Sequence, residues 1–174
     1  MSKESLQARV QAEVLTFINS RQSLQLATID DENQPYASYS PFAIGDDCLY
    51  VLLSEMAVHA SNLRANPKAA VMIIQDEDSA NELFARVRVN YSIEAELLTH
   101  STEQWTLGIN ALANRHGDRV NKLSQLSDFK LFKLKPTGGR YVKGFGRAYT
   151  LAGKGLTGSE VQHITGGHIK RTAA

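Results

Sequence analysis

Apolar residues recur at every third or fourth position across residues 3–19, at Leu6, Val10, Val14 or Leu15, Phe17 and Ile18. That spacing puts them on one stripe and predicts an amphipathic packing helix. The period then drops to two. From Ser23 to Asp30, Leu24, Leu26 and Thr28 alternate with Gln25 and Ala27, which predicts a strand with one buried face. Asp30-Asp-Glu-Asn-Gln-Pro35 is built of turn residues. Strands are expected over Tyr36–Ile44 and Cys48–Leu53, joined by a turn at Gly45-Asp-Asp47. Strand, turn, strand, turn, strand is a meander, the start of a sheet or barrel.

Val58–Ala65 reads as a short helix stopped at Asn66-Pro67, because a residue before proline avoids the helical region. Ala69–Ile74 is an apolar strand, and acidic Asp76–Phe84 a short helix or loop. Ala85–Leu98 alternates as one long strand, with Val87, Val89, Tyr91, Ile93, Ala95 and Leu97 facing inward. Arg86 and Arg88 share its other face, which is either solvated, an anion clamp or a subunit interface. Residues 101–114 form a helix capped at Ser101 or Thr102, with Trp105, Ile109 and Leu112 on one face. A short helix follows near 117–123.

From Asp128 to Leu151 two runs are expected to pair as a hairpin about Pro136-Thr-Gly-Gly139. The first alternates, with a break at Phe132. The second carries Gly144 and Gly146, which suggest a bulge or a close approach. After Leu151 no hydrophobic periodicity obliges the chain to pack on its own core. Antiparallel strands with helices over their ends predict a mainly β architecture, a closed or split barrel rather than a parallel sheet. The expected organisation is a barrel domain with its N-terminal helix over residues 1–152 and a flexible tail over 153–174.

Nineteen basic and eighteen acidic residues give a net charge of +1, so nothing in the balance calls for nucleic acid. A single cysteine, Cys48, rules out an internal disulfide. The first residues lack the apolar core of a signal peptide, and no run approaches a membrane span. The expectation is a soluble, cytoplasmic protein of one domain. Among the histidines, His59 opens the short helix, while His100 and His116 read as surface residues. Met56 and Met72 read as core.

Leu24-Gln-Leu-Ala-Thr28, Pro41-Phe42, His59-Ala-Ser-Asn-Leu-Arg-Ala-Asn-Pro67 and Leu83-Phe-Ala-Arg-Val-Arg88 resemble the flavin-binding split β-barrel of pyridoxamine-phosphate-oxidase-like proteins. Leu123–Phe132, Tyr141-Val-Lys-Gly-Phe-Gly-Arg-Ala-Tyr149 and the tail Gly166-Gly-His168 are similar to the HutZ and HugZ haem-utilisation proteins. The resemblance covers nearly the whole chain.

It implies a homodimer of split barrels that binds haem near the subunit interface and degrades it with oxygen, releasing iron. An external electron donor is then needed. The metal ligand falls on His168, with His163 as the competing position. The carboxylate partner of that ligand falls on Asp128 of the other protomer, and Arg88 falls near the haem. Lys143 and Arg147 flank the Gly-Phe-Gly run, where either could meet a haem propionate. A carboxylate on the far nitrogen of a ligating histidine fixes its tautomer and raises its basicity. That favours oxygen activation over reversible binding. Asp128 and His168 are therefore the candidate catalytic pair. Two other readings stay open: a haem carrier that leaves the ring intact, and an FMN-dependent oxidoreductase with Arg86, Arg88 and His59 about an anion.

Overall fold

The computed structural model describes residues 3–166. Helix α1 (Lys3–Asn19) buries Val10, Val14 and Ile18 completely, four residues apart, as the apolar stripe requires. Strand β1 (Ser23–Ile29) alternates buried and exposed positions along its length. The turn after it is fixed by Asp30, whose Oδ1 accepts from the backbone N–H of Glu32 at 3.0 Å and of Gln34 at 2.7 Å. The expected Tyr36–Ile44 strand is two pieces, β2 (Pro35–Pro41) and β3 (Ala43–Ile44). Phe42 breaks the run and is fully buried.

Strand β4 (Leu49–Ser54) leads to helix α2 (Val58–Ala65), which ends where Asn66 precedes proline. Strand β5 (Lys68–Ile74) and strand β6 (Arg88–Leu97) flank an acidic segment that holds two 3₁₀ turns, Glu77–Ser79 and Leu83–Ala85. Strand β6 is shorter than expected at both ends. Its last inward position is also shifted: Leu97 is exposed and Leu98 is buried beneath the next helix. Helix α3 (Glu103–His116) is capped by Thr102, whose Oγ1 accepts from the N–H of Trp105. Helix α4 (Arg119–Ser124) follows.

The expected hairpin about Pro136–Gly139 is not present. Strand β7 runs unbroken from Phe129 to Val142. Thr137 sits at a bulge where the register against β6 shifts between Ser92 and Ile93. The reversal comes later, at the turn Lys143–Arg147, and leads into β8 (Ala148–Ala152). Gly139 has a packing reason: a Cβ there would lie 2.7 Å from the carbonyl oxygen of Asn90 and 2.8 Å from the Tyr91 ring. The break read at Phe132 is also not a break. Leu131 is buried under α3 and Phe132 in the main core, so this half of the strand has two buried faces.

Residues 153–163 were expected to owe nothing to the core. They form strand β9 (Glu160–His163), paired with β8, and bury Leu156 and Val161. Tyr91 donates from its hydroxyl to the carbonyl of Leu156 at 2.6 Å. Gln11 reaches from α1 to the carbonyl of Gly158 at 2.9 Å.

The antiparallel sheet runs β2-β1-β5-β6-β7-β4-β3, with β8 and β9 added on β7. Strand β7 is its trunk. One edge pairs with β6; the other is divided between β4 (residues 129–134) and β8 (residues 139–142). The main core lies between this curled sheet and α1. A second core, which includes Cys48, Tyr50, Ile109, Leu112 and Leu131, lies between β4, β7 and α3. The sheet face made by Ala37, Ala27 and Ala70, neighbours across β2, β1 and β5, is exposed.

Candidate functional site

The residues singled out in the sequence fall at opposite ends of β7. Asp128 immediately precedes the strand. Its Oδ2 accepts a hydrogen bond from Ser54 Oγ at 2.8 Å, and its carbonyl accepts from the N–H of Glu55 at 2.7 Å. The side chain is half-buried, and among the described residues only Ser54 is hydrogen-bonded to the carboxylate. The carboxylate therefore has a fixed position and an oxygen still able to accept.

Arg88, Lys143 and His163 gather at the far end. Arg88 is paired in register with Val142, and its Nη1 donates to the carbonyl of Arg86 at 3.0 Å. Arg86 itself is taken up by the carbonyl of Gln75 and by Glu77, so it is a structural tie rather than a free clamp. Lys143 Nζ lies 2.5 Å from Glu13 Oε2 on α1 and 5.8 Å from the centre of the Tyr149 ring. His163 packs on the same ring at 5.1 Å, and its Nε2 is 2.9 Å from the carbonyl oxygen of Gly146. A carbonyl can only accept, so Nε2 carries the proton. Lys143 thus ties the β7–β8 turn to α1, and His163 ties it to β9. His168 lies outside the described residues.

Thirteen steps separate Asp128 from Tyr141, which is paired through Tyr149 with His163. That is about 40 Å of extended strand. Within one chain Asp128 does not meet Arg88, Lys143 or His163.

Other readings of single residues change. Met56, expected in the core, is 89% exposed. His116 is half-buried, with Nε2 2.8 Å from the carbonyl oxygen of Phe42. His59 Nδ1 lies 2.9 Å from Ser38 Oγ, and burial pushes its pKa below the usual 6.5. Its ring is held neutral near pH 7, which weakens it as a phosphate contact. Among the described residues no group of three or more His, Cys, Asp or Glu could hold a metal ion. No described helix is long and apolar enough to cross a membrane.

The sequence missed Ser54, Glu13 and Tyr149. Ser54 stands 74 residues from its partner and Glu13 130 from Lys143, so no local pattern links them. Tyr149 stood inside a quoted motif but without a role.

A sequence model of the family described as pyridoxamine 5'-phosphate oxidase matches residues 10–143. The chain is 40% identical over 170 residues to the protein named heme oxygenase HutZ of Vibrio cholerae, covering 98% of this chain and 96% of that one. The chain belongs to the HutZ family, on the pyridoxamine-phosphate-oxidase-like fold. A crystal structure of Vibrio cholerae HutZ, described there as a heme storage protein, superposes with a TM-score of 0.74 at 38% identity, covering 78% of this chain and 96% of that one. Campylobacter jejuni ChuZ superposes with a TM-score of 0.84 at 28% identity, covering 95% of this chain and 67% of that one. The HutZ family fold is the curled antiparallel sheet with flanking helices described above, so the expected mainly β split barrel is the architecture found.

Proposed function

We propose that this chain binds haem at a site shared by two protomers and opens the porphyrin ring with oxygen and an external electron donor, releasing iron. The observation that carries the shared site is the separation along β7. His168 follows His163 by five residues, which span at most about 18 Å. Asp128 lies at the far end of about 40 Å of strand, which favours an Asp128–His168 pair made between two chains. The exposed face of Ala37, Ala27, Ala70 and Tyr39, the last 69% exposed, supports packing against a second copy.

The residues present fit the group. Asp128 is anchored by one oxygen and leaves the other to accept the N–H of a ligating imidazole. Holding that proton at the far nitrogen keeps the ligand in one tautomer and makes it a stronger donor. His163 has its Nε2 committed to Gly146, which favours His168 as the ligand. Lys143 is committed to Glu13, which favours Arg88 for a propionate. Haem, when bound, supplies the redox iron and is itself the substrate. The chain supplies the imidazole, its orientation and a cation for the anionic rim.

A second reading, haem storage without ring opening, has support in the description of the HutZ crystal structure. An FMN-dependent reaction has less support, since Arg86 is tied to Gln75 and Glu77 and burial disfavours the cationic form of His59. One experiment separates them: titrate haem into the native chain and into His168→Ala, then add ascorbate in air. Binding that weakens in the variant, with loss of the Soret band and release of iron in the native chain, is expected. Binding without bleaching leaves storage, and no haem binding overturns both haem readings.

A further inference from the structure

A cleft of about 530 Å³ opens between α3, the end of β6 and the start of β7. Its size is in the range of small-molecule sites. Leu97, Leu126, Phe129 and Leu131 give it apolar walls. Leu97 and Leu126 are 44% and 49% exposed, large aliphatic side chains left in contact with water at its mouth. Trp105 and His100 form one side, their ring centres 4.4 Å apart. His100 Nδ1 is held 2.7 Å from Ser101 Oγ, so the pair presents a fixed aromatic surface.

The charge in the cleft does not cancel. Arg64 and Lys130 both turn to one carboxylate, Glu55, and no other acid lines the cleft. Two cations on one carboxylate leave one positive charge, beside an aromatic platform and aliphatic walls. We propose that this cleft is a second binding site, for a planar aromatic molecule that carries an anionic group. The cleft's chemistry stands independently of the haem reading, and only a tetrapyrrole source for the ligand rests on that reading. Its ring system stacks on Trp105, its edge meets Leu97 and Leu126, and its anion faces Arg64 and Lys130. Two sources have this chemistry: a flavin phosphate able to donate electrons, and a linear tetrapyrrole carboxylate of the kind ring opening produces.

Trp105 is the only tryptophan in the chain, so its fluorescence reports ligand binding, and substitutions lining the cleft locate that binding. The test titrates FMN and, separately, biliverdin into the full haem-free chain, correcting for absorbed light. Saturable quenching by either is expected, and the tighter of the two names the source. The double variant Arg64→Gln, Lys130→Gln is expected to weaken binding about tenfold. Leu126→Glu, at a half-exposed position that tolerates a polar residue, is expected to weaken it similarly while the circular dichroism stays native. Absence of saturable quenching with both anions overturns the proposal, as does unchanged affinity in both variants. Haem binding followed by absorbance in the same preparations is independent of either result.

Discussion

Ser54 Oγ donates to Asp128 Oδ2 at 2.8 Å, joining the end of β4 to the start of β7. The same hydroxyl accepts from the N–H of Met56 at 3.3 Å. One small side chain therefore sets where the carboxylate points. Ser54→Ala is expected to leave haem affinity within about threefold and to slow bleaching by roughly tenfold, the usual scale for a group that orients a ligand's partner. Asp128→Asn removes the acceptor charge and is expected to slow it further. Soret decay under ascorbate checks both.

Burial raises the pKa of Tyr50 and Tyr141 to about 12 each, from an ordinary value of 10.0, and raises that of Tyr91 as well. Raised acids favour the folded state while protonated. Their contribution is complete below pH 10 and is lost as pH rises toward 12. Stability is expected to fall across that window, and less steeply in Tyr141→Phe. Urea midpoints between pH 8 and 11.5 test this.

His59 gives the opposite edge. Its pKa is depressed by burial, so the unfolded chain takes up a proton before the folded one. Stability is complete above pH 6.5 and falls as pH drops below it. His59→Gln is expected to flatten the curve between pH 6.5 and 5, measured by thermal unfolding.

Arg115 closes the end of α1 from across the chain. Its guanidinium donates to the carbonyls of Asn19, at 2.8 Å, and of Arg21, and lies 5.1 Å from the centre of the Phe42 ring. A lysine cannot reproduce this fork. Arg115→Lys is expected to cost about 2 kcal/mol of unfolding free energy, read from a urea titration.

Gly139→Ala places a methyl against the Asn90 carbonyl, which cannot move without disturbing the β6–β7 ladder, and against the Tyr91 ring, which is buried and held by its hydrogen bond to Leu156. A loss of about 2 kcal/mol is expected from such overpacking.

Much of this fold was legible in the chain. Val10, Val14 and Ile18 marked α1, and Asn66-Pro67 marked the end of α2. What failed were choices decided by distant partners. Gly138-Gly139 and Gly144–Gly146 each allow a bulge or a turn; the pairing of β6 along β7 makes the first a bulge and the second a turn. Leu156 and Val161 looked solitary because their partners, Tyr91 and β8, lie elsewhere in sequence. Asp128 and Arg88 were both singled out for the site, and they lie at opposite ends of β7, Asp128 just before it and Arg88 on β6 opposite Val142. That they could not meet within one chain emerged only when the fourteen residues between Phe129 and Val142 proved to be one strand.

That continuity has a genetic consequence. In the proposed dimer each site takes Asp128 from one chain and His168 from the other. A mixed dimer of Asp128→Asn and His168→Ala chains then holds one site with both defects and one with neither. Two impaired proteins, unfolded and refolded together, would regain roughly a quarter of the native sites by random pairing. A site built within single chains would regain none.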